Sequence, residues 1–143
     1  MKRPYVSGPI AGGTQNLSRE EKLARFARAE LVLRNDGYEP VNPLSIEACP
    51  TQDCNLEAVG DKKYREDGQY WHTWECYLRY DLIAMLKDAD GIALLPEWET
   101  SPGAVLEHHV AVGLGWETID LTKNAVVLGL PLQLERARAG QRV

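Results

Sequence analysis

Residues 90–107 read DGIALLPEWETSPGAVLE. The run from Gly91 to Leu95 is continuously apolar, which is what a parallel strand covered on both faces requires. A polar loop follows over Pro96 to Thr100. Ser101-Pro102-Gly103-Ala104 then supplies a capping hydroxyl, a proline suited to the first helical position and two small residues that allow close approach. The helix continues through Val105, Leu106, Glu107, His108, His109, Val110, Ala111 and Leu114 and stops near Gly113 or Gly115. A buried strand passing through a short loop into a capped helix is part of a βαβ unit, so this stretch points to an α/β fold.

The flanking segments extend the same alternation. Upstream, Pro4 to Val6 form a short extended run that empties into Ser7-Gly8-Pro9, with Gly12 and Gly13 in the loop beyond. Ser18 stands three residues before Glu21 with Leu17 just ahead, the arrangement of a capping box. Leu23, Phe26, Ala27, Glu30, Leu31 and Arg34 follow at helical spacing, their apolar members predicting one buried stripe, until Asn35-Asp36-Gly37 stops the helix. Tyr38 to Val41 is the expected second strand. Residues 44–70 are rich in Asp, Glu, Asn, Gly and Lys without a sustained apolar period, and read as a polar insertion. From Trp74 the apolar spacing predicts a helix to Lys87 containing Asp81. Trp116 to Leu121 is a further strand, and Ala125 to Leu130 is either a fifth strand or the start of a helix. Together these predict a single domain over residues 1–143, a doubly wound parallel sheet of four to five strands of the flavodoxin-like or Rossmann-like kind.

Bulk properties narrow the function. A chain of 143 residues fits one core, and its net charge of -5, with scattered basic residues, argues against polymeric nucleic acid as a partner. No apolar run approaches the roughly 20 residues of a membrane helix, and no signal-peptide stretch opens the chain, so a cytoplasmic location without membrane contact is expected. The three cysteines, Cys49, Cys54 and Cys76, are an odd number and lack zinc spacing; no metal or cofactor is expected. Adjacent His108 and His109 project about 100° apart and do not form a two-ligand face.

In an open α/β sheet the ligand lies beyond the carboxyl ends of the strands. That rule selects Ser7-Gly8 and the loop Pro96 to Ser101. The helix beginning at Ser101 offers unpaired N–H groups to an anion such as a phosphate, and the Ser101 hydroxyl is either a further donor or a plain cap. Glu107, six residues on, faces solvent or the cleft, and Asp81 has the same two options. Facing the cleft together, they form a carboxylate pair suited to glycosidic chemistry. Trp98 either stacks on a base or packs the core.

The pattern Tyr5-Val6-Ser7-Gly8-Pro9-Ile10-Ala11-Gly12-Gly13, then Tyr80-Asp81-Leu82, Asp90 before an apolar strand, and Ser101-x-Gly103-x-x-x-Glu107-x-x-x-Ala111 resembles the nucleoside 2-deoxyribosyltransferase superfamily. The branch most similar is that of the 2′-deoxynucleoside 5′-monophosphate N-hydrolases and their uncharacterised phage and bacterial relatives, which share GYEPVNP-like segments and a tryptophan in the position of Trp98. The resemblance implies an N-glycoside hydrolase or transferase with Glu107 as nucleophile and Asp81 binding the sugar and assisting proton transfer. Ser101, where nucleoside-specific members carry an acidic residue, implies a 5′-monophosphate, since a carboxylate would repel a phosphate. Ser7, Gly8, Pro9, Ile10, Gly12, Gly13 and Gly103 would complete the substrate cradle. Tyr5 is either the donor that holds Glu107 or a buried strand aromatic. The resemblance also implies a homo-oligomer, dimer or larger.

Two other functions fit the same residues. One is a glycohydrolase for a dinucleotide such as NAD. The other is a catalytically silent nucleotide-binding module, in which the polar insertion or the His-His pair closes the site.

Overall fold

The computed structural model describes residues 1–10, 17–46 and 74–131. Strand β1 spans Pro4–Ser7, helix α1 Arg19–Asn35, helix α2 Trp74–Asp88, strand β2 Gly91–Leu94, helix α3 Pro102–Gly113, strand β3 Glu117–Asp120 and helix α4 Ala125–Leu128. Short 3-10 turns occupy Pro43–Ser45 and Trp98–Thr100. The chain is α/β, with a parallel sheet in the order β1-β2-β3. Tyr5 lies opposite Ile92 and Ser7 opposite Leu94, while Gly91 to Leu94 pair with Glu117 to Asp120.

Among the described residues there are three strands where four to five were expected. The segment read as the second strand is reduced to one parallel bridge, between Tyr5 and Val41. It does lie along β1: Glu39 N–H donates to the Lys2 carbonyl at 2.9 Å, Val41 N–H to Pro4 at 2.8 Å, and Val6 N–H to Val41 at 3.0 Å. Pro40 removes a donor from its middle and Pro43 stops it, which suits a short edge and nothing longer. Ala125 to Leu130, open between strand and helix, resolves as α4, capped by the Asn124 side chain.

Side chains of β1 and β2 alternate between two cores. Val6, Ala93 and Leu95 point to the side where Phe26, Ala29 and Leu33 of α1 and Val127 of α4 pack. Tyr5, Ile92 and Leu94 point to the other, against Met85 of α2 and Ala111 of α3. The period-two geometry of a strand makes this division, and burial on both faces explains why β2 reads as an unbroken apolar run. Residues at positions 5 and 7 of β1 thus share the α2/α3 side.

Helix α1 starts as its sequence predicts, with Ser18 Oγ accepting from Glu21 N–H at 3.1 Å. The reciprocal half of the capping box is not made, because the Glu21 carboxylate turns to Arg28 at 2.7 Å. It ends in a Schellman arrangement: Tyr38 N–H reaches the Leu33 carbonyl, Gly37 N–H reaches Arg34, and Gly37 takes φ of 90°. The expected apolar stripe is displaced by about one position. Lys22, Phe26, Ala29 and Leu33 are buried, whereas Leu31 is 67% exposed. Apolar residues on α1 outnumber the places one stripe can hold, and packing against α4 selects among them.

The loop after β2 carries the one non-glycine positive φ among the described residues, at Glu97 (φ 65°, ψ 21°). Trp98 N–H closes the turn onto the Leu95 carbonyl at 3.2 Å, with Pro96 at the second position, which is the type II pattern. That turn favours glycine at its third position, and a glutamate there costs about 1–2 kcal/mol.

Most of the polar insertion expected at 44–70, from residue 47 on, lies outside the described residues, as do Gly12 and Gly13. No helix among the described residues is long and apolar enough to cross a membrane.

Candidate active site

The site is built where β1 ends against the inner face of α3. Ser101 caps α3, its Oγ accepting from Ala104 N–H at 3.3 Å, and Pro102 occupies the first turn. Ala104, Glu107 and Ala111 then form the buried row of the helix, at spacings of three and four residues. Glu107 therefore faces inward, and only 5% of it is exposed. Of its two sequence-level options, solvent and interior, the fold takes the interior.

Both carboxylate oxygens of Glu107 are engaged. The Tyr5 hydroxyl donates to Oε2 at 2.7 Å and the Ser7 hydroxyl to Oε1 at 2.7 Å. Tyr5 is at once a fully buried strand aromatic and a hydrogen-bond donor to Glu107. Burial pushes the Glu107 carboxyl up to about 7, and the bonds from Ser7 and Tyr5 work against that rise by favouring the anion. Burial also pushes the Tyr5 phenol well above its usual range, helped by the charges of Glu107 and Asp81, so it stays protonated and donates. Asp81, half-buried on α2, is raised to about 7 by burial first and by Glu107 second. The charge of Glu107 thus opposes ionisation of Asp81, which places two carboxyls with raised affinity for a proton on the α2/α3 side of the sheet.

Ser101 is buried and its oxygen serves as the cap of α3. Gly103 has no steric need to be glycine: a Cβ there meets Leu78 Cδ1 at 3.7 Å and Ser101 Oγ at 3.9 Å, both ordinary contacts. Gly8 does need it, since a Cβ would come 2.7 Å from Leu95 Cβ. Pro9 is buried beside it and Ile10 packs on the α1/α4 core. Trp98 packs against the α2/α3 core, and its ring lies 4.6 Å from that of His108, tilted by 56°. Gly12 and Gly13 belong to the segment outside the described residues.

Ser7 was expected to touch substrate; in the fold its hydroxyl is directed at Glu107. The signal for this was the spacing of Tyr5 and Ser7, two polar-tipped side chains two apart on one strand and hence on one face. An ion pair that the sequence did not reveal joins Arg25 of α1 to Glu97, with Nη1 3.1 Å from Oε2. Arg79 pairs with Glu75 on the surface of α2. Among the described residues no group of three or more His, Cys, Asp or Glu side chains converges as a metal site.

No curated protein and no solved structure matches the chain. A family model described as "Domain of unknown function (DUF4406)" matches residues 2–120, which spans β1 through β3 and every predicted site residue, and the chain belongs to that family.

Proposed function

We propose that the protein cleaves or transfers the N-glycosidic bond of a 2′-deoxynucleoside 5′-monophosphate through a covalent glycosyl-enzyme on Glu107. One observation carries the reading: a buried glutamate on the inner row of α3 whose two oxygens accept from Tyr5 and Ser7, with a second raised carboxyl, Asp81, coupled to it. A surface glutamate needs no such arrangement.

In the first step one Glu107 oxygen bonds to C1′ as the C1′–N bond breaks, the electron pair leaving with the base, which takes a proton from Asp81. In the second, water or another base attacks C1′, the ester bond breaks, and the carboxylate of Glu107 is restored; the proton lost by the attacking group returns to Asp81. The phosphate sits at the N-terminus of α3 beside Ser101, where N–H groups and the helix dipole favour an anion.

The order of the sheet supports a doubly wound, flavodoxin-like version of the fold. The edge segment at Val41, then β1, β2 and β3, lie side by side, with helices on both faces. Exposed Ile83 and Leu86 on α2 and Val105, Leu106 and Val112 on α3 support a homo-oligomer. One observation favours the silent nucleotide-binding module: the Trp98 ring already has His108 against it.

The test is to incubate the protein with each deoxynucleoside monophosphate, ribonucleotide, nucleoside and NAD, with and without an acceptor base, and to follow base release by chromatography. Base release from deoxynucleoside monophosphates is the expected result. Release from NAD alone points to the dinucleotide enzyme, and binding without release to the silent module.

A further inference from the structure

The turn that leads from β2 to α3 contains a residue that its backbone disfavours. Position 97 is left-handed, the third position of a type II turn, and it holds glutamate where glycine is the unstrained choice. A local rule broken next to a candidate site calls for a compensating role of the side chain. The Glu97 side chain has one: its Oε2 meets Nη1 of Arg25 at 3.1 Å.

This pair is unlike an ordinary surface ion pair. The Arg25 side chain is 11% exposed against 38% for Glu97, so its charge is largely withdrawn from water and depends on the carboxylates around it. Its Nε is 3.7 Å from Glu21 and has no hydrogen bond among the described residues. Glu21 is in turn held by Arg28, whose Nη1 also reaches the Val127 carbonyl of α4 at 3.2 Å. The turn after β2 is thereby fastened to α1 and, through it, to α4.

What the fastening controls lies immediately downstream. The Glu97 carbonyl accepts from both Thr100 N–H (3.0 Å) and Thr100 Oγ1 (2.7 Å), and Ser101 N–H returns to the Trp98 carbonyl at 3.0 Å. The orientation of the Glu97 peptide is therefore passed directly to Trp98, whose ring rests on His108, the neighbour of Glu107.

We infer that Arg25 and Glu97 are positioning residues: their ion pair holds the turn in its left-handed form and so fixes Trp98 against His108, on the flank of the proposed site. They act through Trp98 and touch no substrate. The kinetic arm of this inference rests on the proposed glycosidic function; the structural arm does not.

The experiment uses the full chain labelled with 5-fluorotryptophan, the Trp98 resonance being assigned among the four tryptophans by its loss in Trp98→Phe. Arg25→Gln and Glu97→Gln are each expected to shift or broaden that resonance, whereas Arg25→Lys leaves it in place. Glu97 is on the outside of the pair, so its variant keeps the test available if Arg25→Gln fails to fold. With a deoxynucleoside monophosphate as probe, both Gln variants are expected to raise KM about tenfold with kcat within about twofold, and Arg25→Lys to restore most of the loss. A Trp98 resonance unmoved in Glu97→Gln overturns the inference. Absence of base release by the unmodified protein overturns the proposed function instead, and the resonance still decides the role of the pair.

Discussion

The Ser7 hydroxyl donates to Oε1 of Glu107 at 2.7 Å across a sequence separation of 100 residues, so the last residue of β1 directly sets the charge and direction of a carboxylate on α3. The Tyr5 hydroxyl does the same for Oε2. Removing either donor leaves a buried anion with one fewer partner, worth about 1.5–3 kcal/mol for a hydrogen bond to a charged group. Tyr5→Phe is expected to raise the Glu107 carboxyl by a further one to two pH units. The acid limb of the kcat/KM profile should move up accordingly, and turnover at pH 7 should fall by about 10–100-fold. Ser7→Ala should do likewise with little change in KM; an effect on KM alone would place Ser7 against substrate.

Glu107→Gln should abolish base release while leaving nucleotide binding intact, a loss of about three orders of magnitude or more. It should also change stability in a defined direction. Glu107 is raised from the ordinary 4.5 to about 7, so the folded chain holds this proton more tightly than the unfolded one. Its contribution is fully present below about pH 4.5 and is lost as pH rises through about 7, amounting to at most about 3 kcal/mol. Urea denaturation of the wild type from pH 5 to pH 8 should show that decline, and the Gln variant should reduce it to the part that Asp81 contributes.

On the proposed mechanism Asp81 supplies the other limb. Since burial and Glu107 hold its carboxyl near 7, it loses its proton as pH rises through about 7. Asp81→Asn should lower turnover by about 10²–10⁴-fold and remove the alkaline limb of the rate profile. Burial, Ser7 and Tyr5 set the Glu107 carboxyl, so the acid limb should stay in place. A bell-shaped profile preserved in the variant would mean that another group provides the acid.

Two glycines separate packing from ligand contact. Gly8→Ala drives a methyl into Leu95 and should destabilise by about 1–3 kcal/mol. Gly103→Ala meets only ordinary contacts and improves helix propensity, so it should be neutral or stabilising by up to about 1 kcal/mol. If substrate lies against Gly103, that same variant raises KM, and the combination of gained stability with lost affinity identifies a surface shaped for something outside the chain.

Ser101→Asp distinguishes cap from phosphate contact. Aspartate caps a helix as well as serine, so the melting temperature should change little. A carboxylate beside a phosphate is repulsive, and deoxynucleoside monophosphates should lose about 10–100-fold in kcat/KM relative to nucleosides. Equal losses for both classes would remove the phosphate from that end of α3.

Residues 90–107 were legible because each signal in them is local: a run buried on both faces, a proline, a capping serine. The caps of α1 were legible for the same reason. The buried face of α1 was not, since Leu23 and Leu31 compete with Phe26 and Leu33 and only contact with α4 and the arginine pairs chooses between them. The orientation of Glu107 was equally hidden: apolar neighbours surround it on α3, and the hydroxyls that mark its direction sit on β1. Glu97 was unreadable, because its left-handed backbone contradicts its residue type and is supported by Arg25, far away in the chain. The short edge at Val41 turned on Pro40, whose missing donor weighs more than the extended character around it.

At the opposite end of the sheet, the Asp90 carboxylate accepts from the backbone N–H groups of Lys2 (2.9 and 3.0 Å) and Arg3 (2.7 Å). This clasp ties the start of β1 to the residue just before β2 and so pins the register in which Tyr5 and Ser7 face α3. A slip of one residue would turn Val6 toward Glu107 and present the carboxylate with a hydrocarbon wall.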